Sequence, residues 1–370
     1  MSEHSVPQLR MREYLQLVAT GPELSKSLDR TQARDAMGII LRGEADPIRC
    51  GIFLIALRMK RETDEENIGV MDALQSEMTR AAAKSPIVLA MADPFNGFLR
   101  SIPATPFVPA VLAACGLPTY LHGIETAGPK YGLTPQMILA AAGLDVDLDV
   151  HLARDRLDDP GTGWAYLDQR HYAPRLHDLV ALRDAMVKRS CLSTIEVVLR
   201  PIGGAEASHL MTGYVHKAYP PVYAALAAHA GFRTAAIVRG VEGGCIPSLS
   251  QLSRYFAFMG KGEPRMTRLA PEDLGIHRSE RAIAVPQRFA KQLSASTYGN
   301  TEVLTPVAEH ALQLGLDALS GTPGPMFDSL VYAGAIALSH CGIVGDQAEG
   351  AALAREAIAG GEALRRFRAP

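Results

Sequence analysis

Between Met91 and Gly143 the chain reads MADPFNGFLRSIPATPFVPAVLAACGLPTYLHGIETAGPKYGLTPQMILAAAG. Its polar groups fall in loops: Asp93, Asn96 and Gly97 after an apolar run, Thr105 before a small-residue helix, His122 and Gly123 after a short strand, and Lys130 in a second glycine loop. In an α/β chain, a loop running from a strand end into a helix N-terminus holds anions on free backbone N–H groups. The stretch has that architecture but lacks most of the side chains and glycines that would make it a phosphate cradle. His122 is the one residue of the set that titrates near neutrality, so it is the candidate general base. Its alternative is a structural histidine hydrogen-bonded to a loop, and the alternative for Lys130 is a solvated loop lysine. Pro94 removes a backbone donor from the loop, and Phe95 adds a bulky apolar ring.

A second set of residues is cationic. Arg170, Arg175, Arg183, Lys188, Arg189, Arg200 and Lys217 lie within one segment, with His171, His177, His209 and His216. Only Asp178, Asp184, Glu196 and Glu206 oppose them, and Tyr172, Tyr214 and Tyr219 stand among them. Arg254, Lys261, Arg265, Arg268, Arg278 and Arg281 form a further cluster. Cations interleaved with aromatic rings suit the phosphates and bases of nucleic acid, bound with low sequence preference and strong salt dependence. The competing reading of each is an ordinary solvated face. Asp145, Asp147 and Asp149 alternate but lack a second acidic cluster, so no metal site is expected. The five cysteines are widely spaced without a CxxC pair, which fits reduced thiols, and Cys245 has no base beside it in sequence.

The elements that must position these residues follow from the pattern. The chain has 370 residues, 48% hydrophobic and 21% charged with a net charge of −2, enough for a large core and no global polyanion signal. No apolar run reaches the ~20 residues of a membrane helix, and the start is too polar for a signal peptide, so a cytoplasmic location is expected. Residues 1–85 read as helices, with Thr31, Asp46 and Thr63 as N-caps and Pro47 in a first turn. Tyr172 to Cys191 returns to helical sequence, so about 165–190 should rejoin that helical domain. The remainder, 86–164 and 191–370, alternates short strands with Ala-rich helices. IVLAMAD, LPTYLHG, STIEVVLRPI, HLMTGYV, TAAIVRG and RAIAVP read as strands, and 155–164 and 258–268 as mobile loops. The fold class is α/β: a small all-helical N-terminal domain plus a larger domain whose mostly parallel central sheet is flanked by helices.

Four segments carry a resemblance: ILRGEADPIRCGIFLIALRMKRET, AACGLPTYLHG, HYAPRLH and GAALAREAIAGGEAL. In that order they resemble the N-terminal helices, the strand into the Lys-His-Gly-Asn motif, the Phe-Ala-Pro-x-x-His-Pro segment and the last helix of the anthranilate phosphoribosyltransferase family. That family belongs to glycosyltransferase family 3, with the pyrimidine nucleoside phosphorylases. The resemblance implies the nucleoside phosphorylase-like fold and a homodimer through the helical domain. It also implies where the family's motifs should stand. The Gly-Thr-Gly-Gly-Asp loop for phosphoribosyl pyrophosphate corresponds to Ala92-Asp93-Pro94-Phe95-Asn96-Gly97, and Asn-Ile-Ser-Thr to Pro103-Ala104-Thr105-Pro106. Lys-His-Gly-Asn becomes Leu121-His122-Gly123-Ile124, and Lys130 matches the lysine of a Ser-Ser-Lys segment. The metal-binding Asp-Glu pair falls at Cys245-Ile246, with Glu242 the nearest carboxylate, and the anthranilate-binding arginine falls near Lys188.

Glycines let a backbone wrap diphosphate closely, and Mg²⁺ needs hard oxygen ligands. With both replaced, the phosphate and metal motifs are degenerate, and a leaving diphosphate has little to stabilise it. The chain is similar in this loop to the YbiB-like, nucleic-acid-binding branch of the family. The expectation is thus a cytoplasmic homodimer that binds DNA or RNA and needs no cofactor. The alternative is a glycosyl- or phosphoribosyltransferase acting on an altered substrate, with Mg²⁺ and phosphoribosyl pyrophosphate, in which His122, Thr105 and Lys130 survive as site residues.

Overall fold

The computed structural model describes residues 5–21 and 23–369. Four helices open the chain: α1 (Val6–Val18), α2 (Arg30–Leu41), α3 (Pro47–Lys60) and α4 (Asp64–Ser76). Local chemistry fixes their starts. Asp46 accepts from the Arg49 N–H at 3.0 Å, with Pro47 in the first turn. Thr63 and Glu66 cap each other's N–H groups at 3.2 and 2.8 Å, a capping box. For α2 the cap is Asp29 rather than the expected Thr31. Its carboxylate takes the Gln32 N–H at 2.8 Å while Gln32 reaches back, a reciprocal pairing that Thr31 has no partner to make. α4 stops at Ser76, short of the helical run read from sequence, and Ala81–Ala82 instead pairs in parallel with Ile202–Gly203.

The main sheet has seven strands: β1 (Ile87–Ala92), β2 (Thr119–Gly123), β3 (Trp164–Asp168), β4 (Ala207–Gly213), β5 (Thr234–Val238), β6 (Ser253–Phe258) and β7 (Arg265–Leu269). They run in the order β3-β2-β1-β4-β5-β6-β7; the first five are parallel, and β6 and β7 add as an antiparallel edge. Val88 and Ala90 of β1 face a core shared with Phe53, Leu54 and Met37 of the helical layer. Leu89 and Met91 face the opposite core, with Leu112, Leu330 and Ile336. Both faces are covered, which is why β1 is apolar throughout. Short helices at Gln169–Tyr172, Pro174–His177 and Val180–Met186 carry Leu176 and Val180 into the helical-side core.

Two expected strands are absent. STIEVVLRPI forms a helical turn at Leu192–Ile195 and a 3₁₀ turn at Glu196–Val198. Its β-branched residues are buried, and Glu196 turns inward to a buried partner, so packing overrides propensity. RAIAVP contributes a single bridge, Ser101 to Ala284, beside the loop after β1. Conversely, β3 and the β6–β7 hairpin begin or lie where loops were expected, and only residues 259–264 remain as the hairpin turn. Among the described residues no helix is long and apolar enough to cross a membrane.

Candidate anion cleft

β1 delivers the loop at 93–101 to the C-terminal edge of the parallel strands, the edge where open α/β sheets bind ligands. Asp93 does not face that edge freely. Its Oδ1 accepts the Cys245 N–H at 2.9 Å, tying β1 to the 240–246 loop. Burial pushes its carboxyl up from the usual range, against Thr105 and Cys245, which pull it down. Gly97 takes φ +69°, and a Cβ there would lie 2.4 Å from the Gly132 carbonyl oxygen, so only glycine permits this approach. Phe98 and Leu133 then exchange two backbone bonds at 3.0 and 2.8 Å, holding the Lys130 loop against the first.

Phe95 is 4% exposed and meets His122 edge-on, with ring centroids 5.8 Å apart. His122 Nδ1 lies 3.0 Å from the Tyr172 hydroxyl, while Nε2 is buried without a partner among the described residues. Burial drives the imidazole down to about 3, so it is neutral at physiological pH. Its surroundings make it a packed structural histidine. A general base must reach a substrate proton, and this ring has aromatic groups around it instead. Thr105 is likewise buried, at the start of a 3₁₀ turn.

The backbone donors of the segment 99–101 are occupied from within the chain. Glu242, on the turn after β5, adopts φ +51° and points its carboxylate into the segment 99–101. It accepts N–H bonds from Leu99 at 3.2 Å, Arg100 at 2.9 Å and Ser101 at 2.9 Å, plus the Ser101 hydroxyl at 2.8 Å. Lys130 Nζ stands 3.6 Å away. Burial would raise this carboxyl, but Ser101, the loop amides and Lys130 together hold it below the usual carboxylate value. Burial pushes the Lys130 ammonium down, with Glu242 opposing. A carboxylate thus stands where such a nest would take an external anion.

Beside it opens a narrow cleft of about 100 Å³ between helical layer and sheet, bounded by Arg58, Phe95, Asn96, Arg189, Tyr219 and Glu242. With its amide oxygen turned toward the guanidinium, Asn96 accepts from Arg189 Nε at 2.8 Å and Nη2 at 2.7 Å. Arg58 donates to the Tyr219 hydroxyl. Burial, and then the neighbouring Arg58, lowers the Arg189 guanidinium from its ordinary value.

Two domain families match this architecture. Residues 12–78 match the helical bundle domain of a glycosyl transferase family, and residues 104–364 match its a/b domain. The chain belongs to this glycosyl transferase family. It is 28% identical over 366 residues to the anthranilate phosphoribosyltransferase of Paramagnetospirillum magneticum, covering 98% of this chain and 96% of that one. It is 27% identical to the Erythrobacter litoralis anthranilate phosphoribosyltransferase, covering 91% and 93%. The fold is that of the Thermus thermophilus anthranilate phosphoribosyltransferase, with TM-score 0.71 and 22% identity over 97% of both chains. The Saccharomyces cerevisiae enzyme in complex with PRPP and Mg gives 0.74 and 16%, over 97% of this chain and 96% of that one.

Within this glycosyl transferase fold the sequence-predicted cations separate into two groups. Arg183 is 5% exposed and grips Glu196 with two bonds of 2.7 Å, so it is a core ion pair and cannot serve as a surface phosphate contact. Arg200 donates to the Ala230 carbonyl at 2.9 Å and Ser208 Oγ at 3.2 Å, pinning the start of β4. Arg170 pairs with Asp168 and Asp147 at 3.0 and 2.8 Å. Arg175, Lys188 and Lys217 are exposed and have no carboxylate partner among the described residues. Arg189, next to Lys188, reaches the cleft together with Arg58.

The position expected for the metal pair holds a buried thiol. Cys245 Sγ faces the Ala92 and Met211 carbonyls at 3.3 and 3.4 Å. No group of three His, Cys, Asp or Glu side chains able to hold a metal occurs among the described residues. Asp149 caps the following helix, and Asp147 faces Arg170. Sequence reasoning missed Arg58 and the loop-closing role of Glu242. A lone Glu between glycines in RGVEGGC was the available signal.

Proposed function

We propose that this member of the glycosyl transferase family binds nucleic acid as a homodimer and does not transfer phosphoribosyl groups. The observation that carries the reading is the Glu242 carboxylate on the amides of 99–101. A diphosphate approaching the segment 99–101 meets a fixed negative charge in place of free donors. Mg²⁺ fits no better, because it needs several hard oxygens: the Glu242 carboxylate is already held by amides, and Asp93 leaves a single buried oxygen, Oδ2, without a partner among the described residues.

Exposed Arg175, Lys188 and Lys217 remain for an anion outside the closed loop. Phosphate contacts of this kind give sequence-tolerant, salt-sensitive binding to DNA or RNA. The homodimer reading is supported by α3, whose Ile48, Ile52 and Met59 are 74, 47 and 77% exposed. A two-fold pair through that helix would present each cation twice. A cytoplasmic location fits five free cysteines.

One observation favours a second reading, a transferase with an altered substrate: the cleft still presents Arg189 and Asn96 to its interior. Retention of a labelled 20-nucleotide strand in low-salt gel shifts tests the main reading. A salt-sensitive shift is expected for unrelated sequences alike; no shift at any protein concentration would overturn it.

A further inference from the structure

The antiparallel edge of the sheet sets arginines opposite one another. The Arg239 N–H donates to the Arg254 carbonyl at 3.0 Å, continuing the ladder that pairs Val238 with Tyr255. Arg254 in turn stands opposite Arg268 on β7. Directly opposed residues of an antiparallel ladder project to the same face, from strands ~4.8 Å apart. Three guanidinium side chains thus form one row across three strands.

Like charges placed opposite each other destabilise a sheet, and proteins usually interleave carboxylates to relieve this. Here none is supplied: Arg239, Arg254 and Arg268 have no carboxylate partner among the described residues, although Arg30, Arg170, Arg183 and Arg278 do. Burial raises the Tyr214 hydroxyl, and Arg254 and Arg239 pull it back, which places both cations near that ring. Arg239 and Arg254 also border a polar surface hollow of about 230 Å³ with Arg281, Ser248 and Gln251. Phe256, two residues along β6 and on the same face as Arg254, packs edge-on against Tyr214 at 5.9 Å. An uncompensated cation row beside aromatic rings and a hydroxyl-lined hollow is built for a chain of phosphates.

We infer that the Arg239–Arg254–Arg268 row is a seat for the phosphodiester backbone of a nucleic-acid strand. This rests on the nucleic-acid reading above and locates it on the sheet edge, beside the turn that carries Glu242. The test is fluorescence anisotropy of a labelled 20-nucleotide oligo-dT across a salt series, using the full chain. Replacing all three arginines by glutamine should weaken binding about tenfold or more at low salt, and lower the slope of log K against log salt by about two, at ~0.7 per lost single-strand contact. Arg254→Gln alone should lower it by about 0.7, which keeps the test open if the triple variant melts early by circular dichroism. Variants that bind like the parent overturn the row while leaving the nucleic-acid reading intact. A parent chain that does not bind overturns both.

Discussion

Ser101 gives both its N–H and its hydroxyl to one oxygen of Glu242, at 2.9 and 2.8 Å. With the Arg100 and Leu99 amides on the same carboxylate, the loop after β1 is closed by an anion from its own chain. Glu242→Ala leaves three amides, a hydroxyl and Lys130 without their acceptor. Hydrogen bonds to charged groups contribute about 1.5–3 kcal/mol each when broken singly, and those of a shared carboxylate do not add, so a loss of about 2–3 kcal/mol is expected in urea unfolding. The vacated nest should then accept an external anion. Millimolar pyrophosphate should raise the melting temperature of the variant and leave that of the parent unchanged.

The imidazole of His122 is neutral, its pKa lowered by burial to about 3, and burial also lowers His209 and His340 to about 4. Each group binds a proton more readily in the unfolded chain, near pH 6.5, than in the folded one. Stability therefore falls as pH drops below about 6.5, and the loss continues until the folded values are reached. For His122 alone the loss between pH 6.5 and 5 is about 2 kcal/mol. His122→Gln, neutral throughout, should flatten the parent's stability–pH profile by about that amount over this range.

Arg183 and Glu196 are a buried pair joined by two 2.7 Å bonds. Removing one partner strands the other, so Glu196→Ala should cost about 3–5 kcal/mol, while replacing both by methionine should cost much less. Oligonucleotide affinity should be unchanged in the double variant, because Arg183 faces the core. A loss of affinity in a fully folded double variant would return Arg183 to the binding surface.

On α3, Ile52 and Met59 lie exposed beside an apolar groove that also includes Ile55 and Met186. Light scattering should give twice the chain mass for the parent, and a single chain mass for the pair Ile52→Asp with Met59→Asp. An unchanged mass in that variant would move the dimer contact elsewhere.

The helical layer and the parallel strands were legible because caps and apolar runs are local signals. Asp46, Pro47 and Thr63 announce their helices, and IVLAMA announces a strand buried on both faces. STIEVVL misled because burial on every side erases periodicity, so a helical turn and a strand look alike. β3 and the β6–β7 hairpin were hidden by the Gly and Pro of the neighbouring turns and by charge that the hairpin strands themselves carry, Arg254 on β6 and Arg265 and Arg268 on β7. At the site, the replacement of a glycine loop by Pro94 and Phe95 could be read directly. What fills the loop could not, because Glu242 arrives from more than 140 residues away and its role depends on the β4–β5 side of the sheet. The same limit applies to Arg183 and Arg200, since sequence shows a cation's position but not its partner.

The central claim is that an internal carboxylate has replaced diphosphate at the loop after β1. Isothermal titration of the parent chain with phosphoribosyl pyrophosphate and Mg²⁺ tests it most directly. A flat titration, with heat appearing only for Glu242→Ala against pyrophosphate, is the predicted result. Saturable heat at one site per parent chain would contradict it.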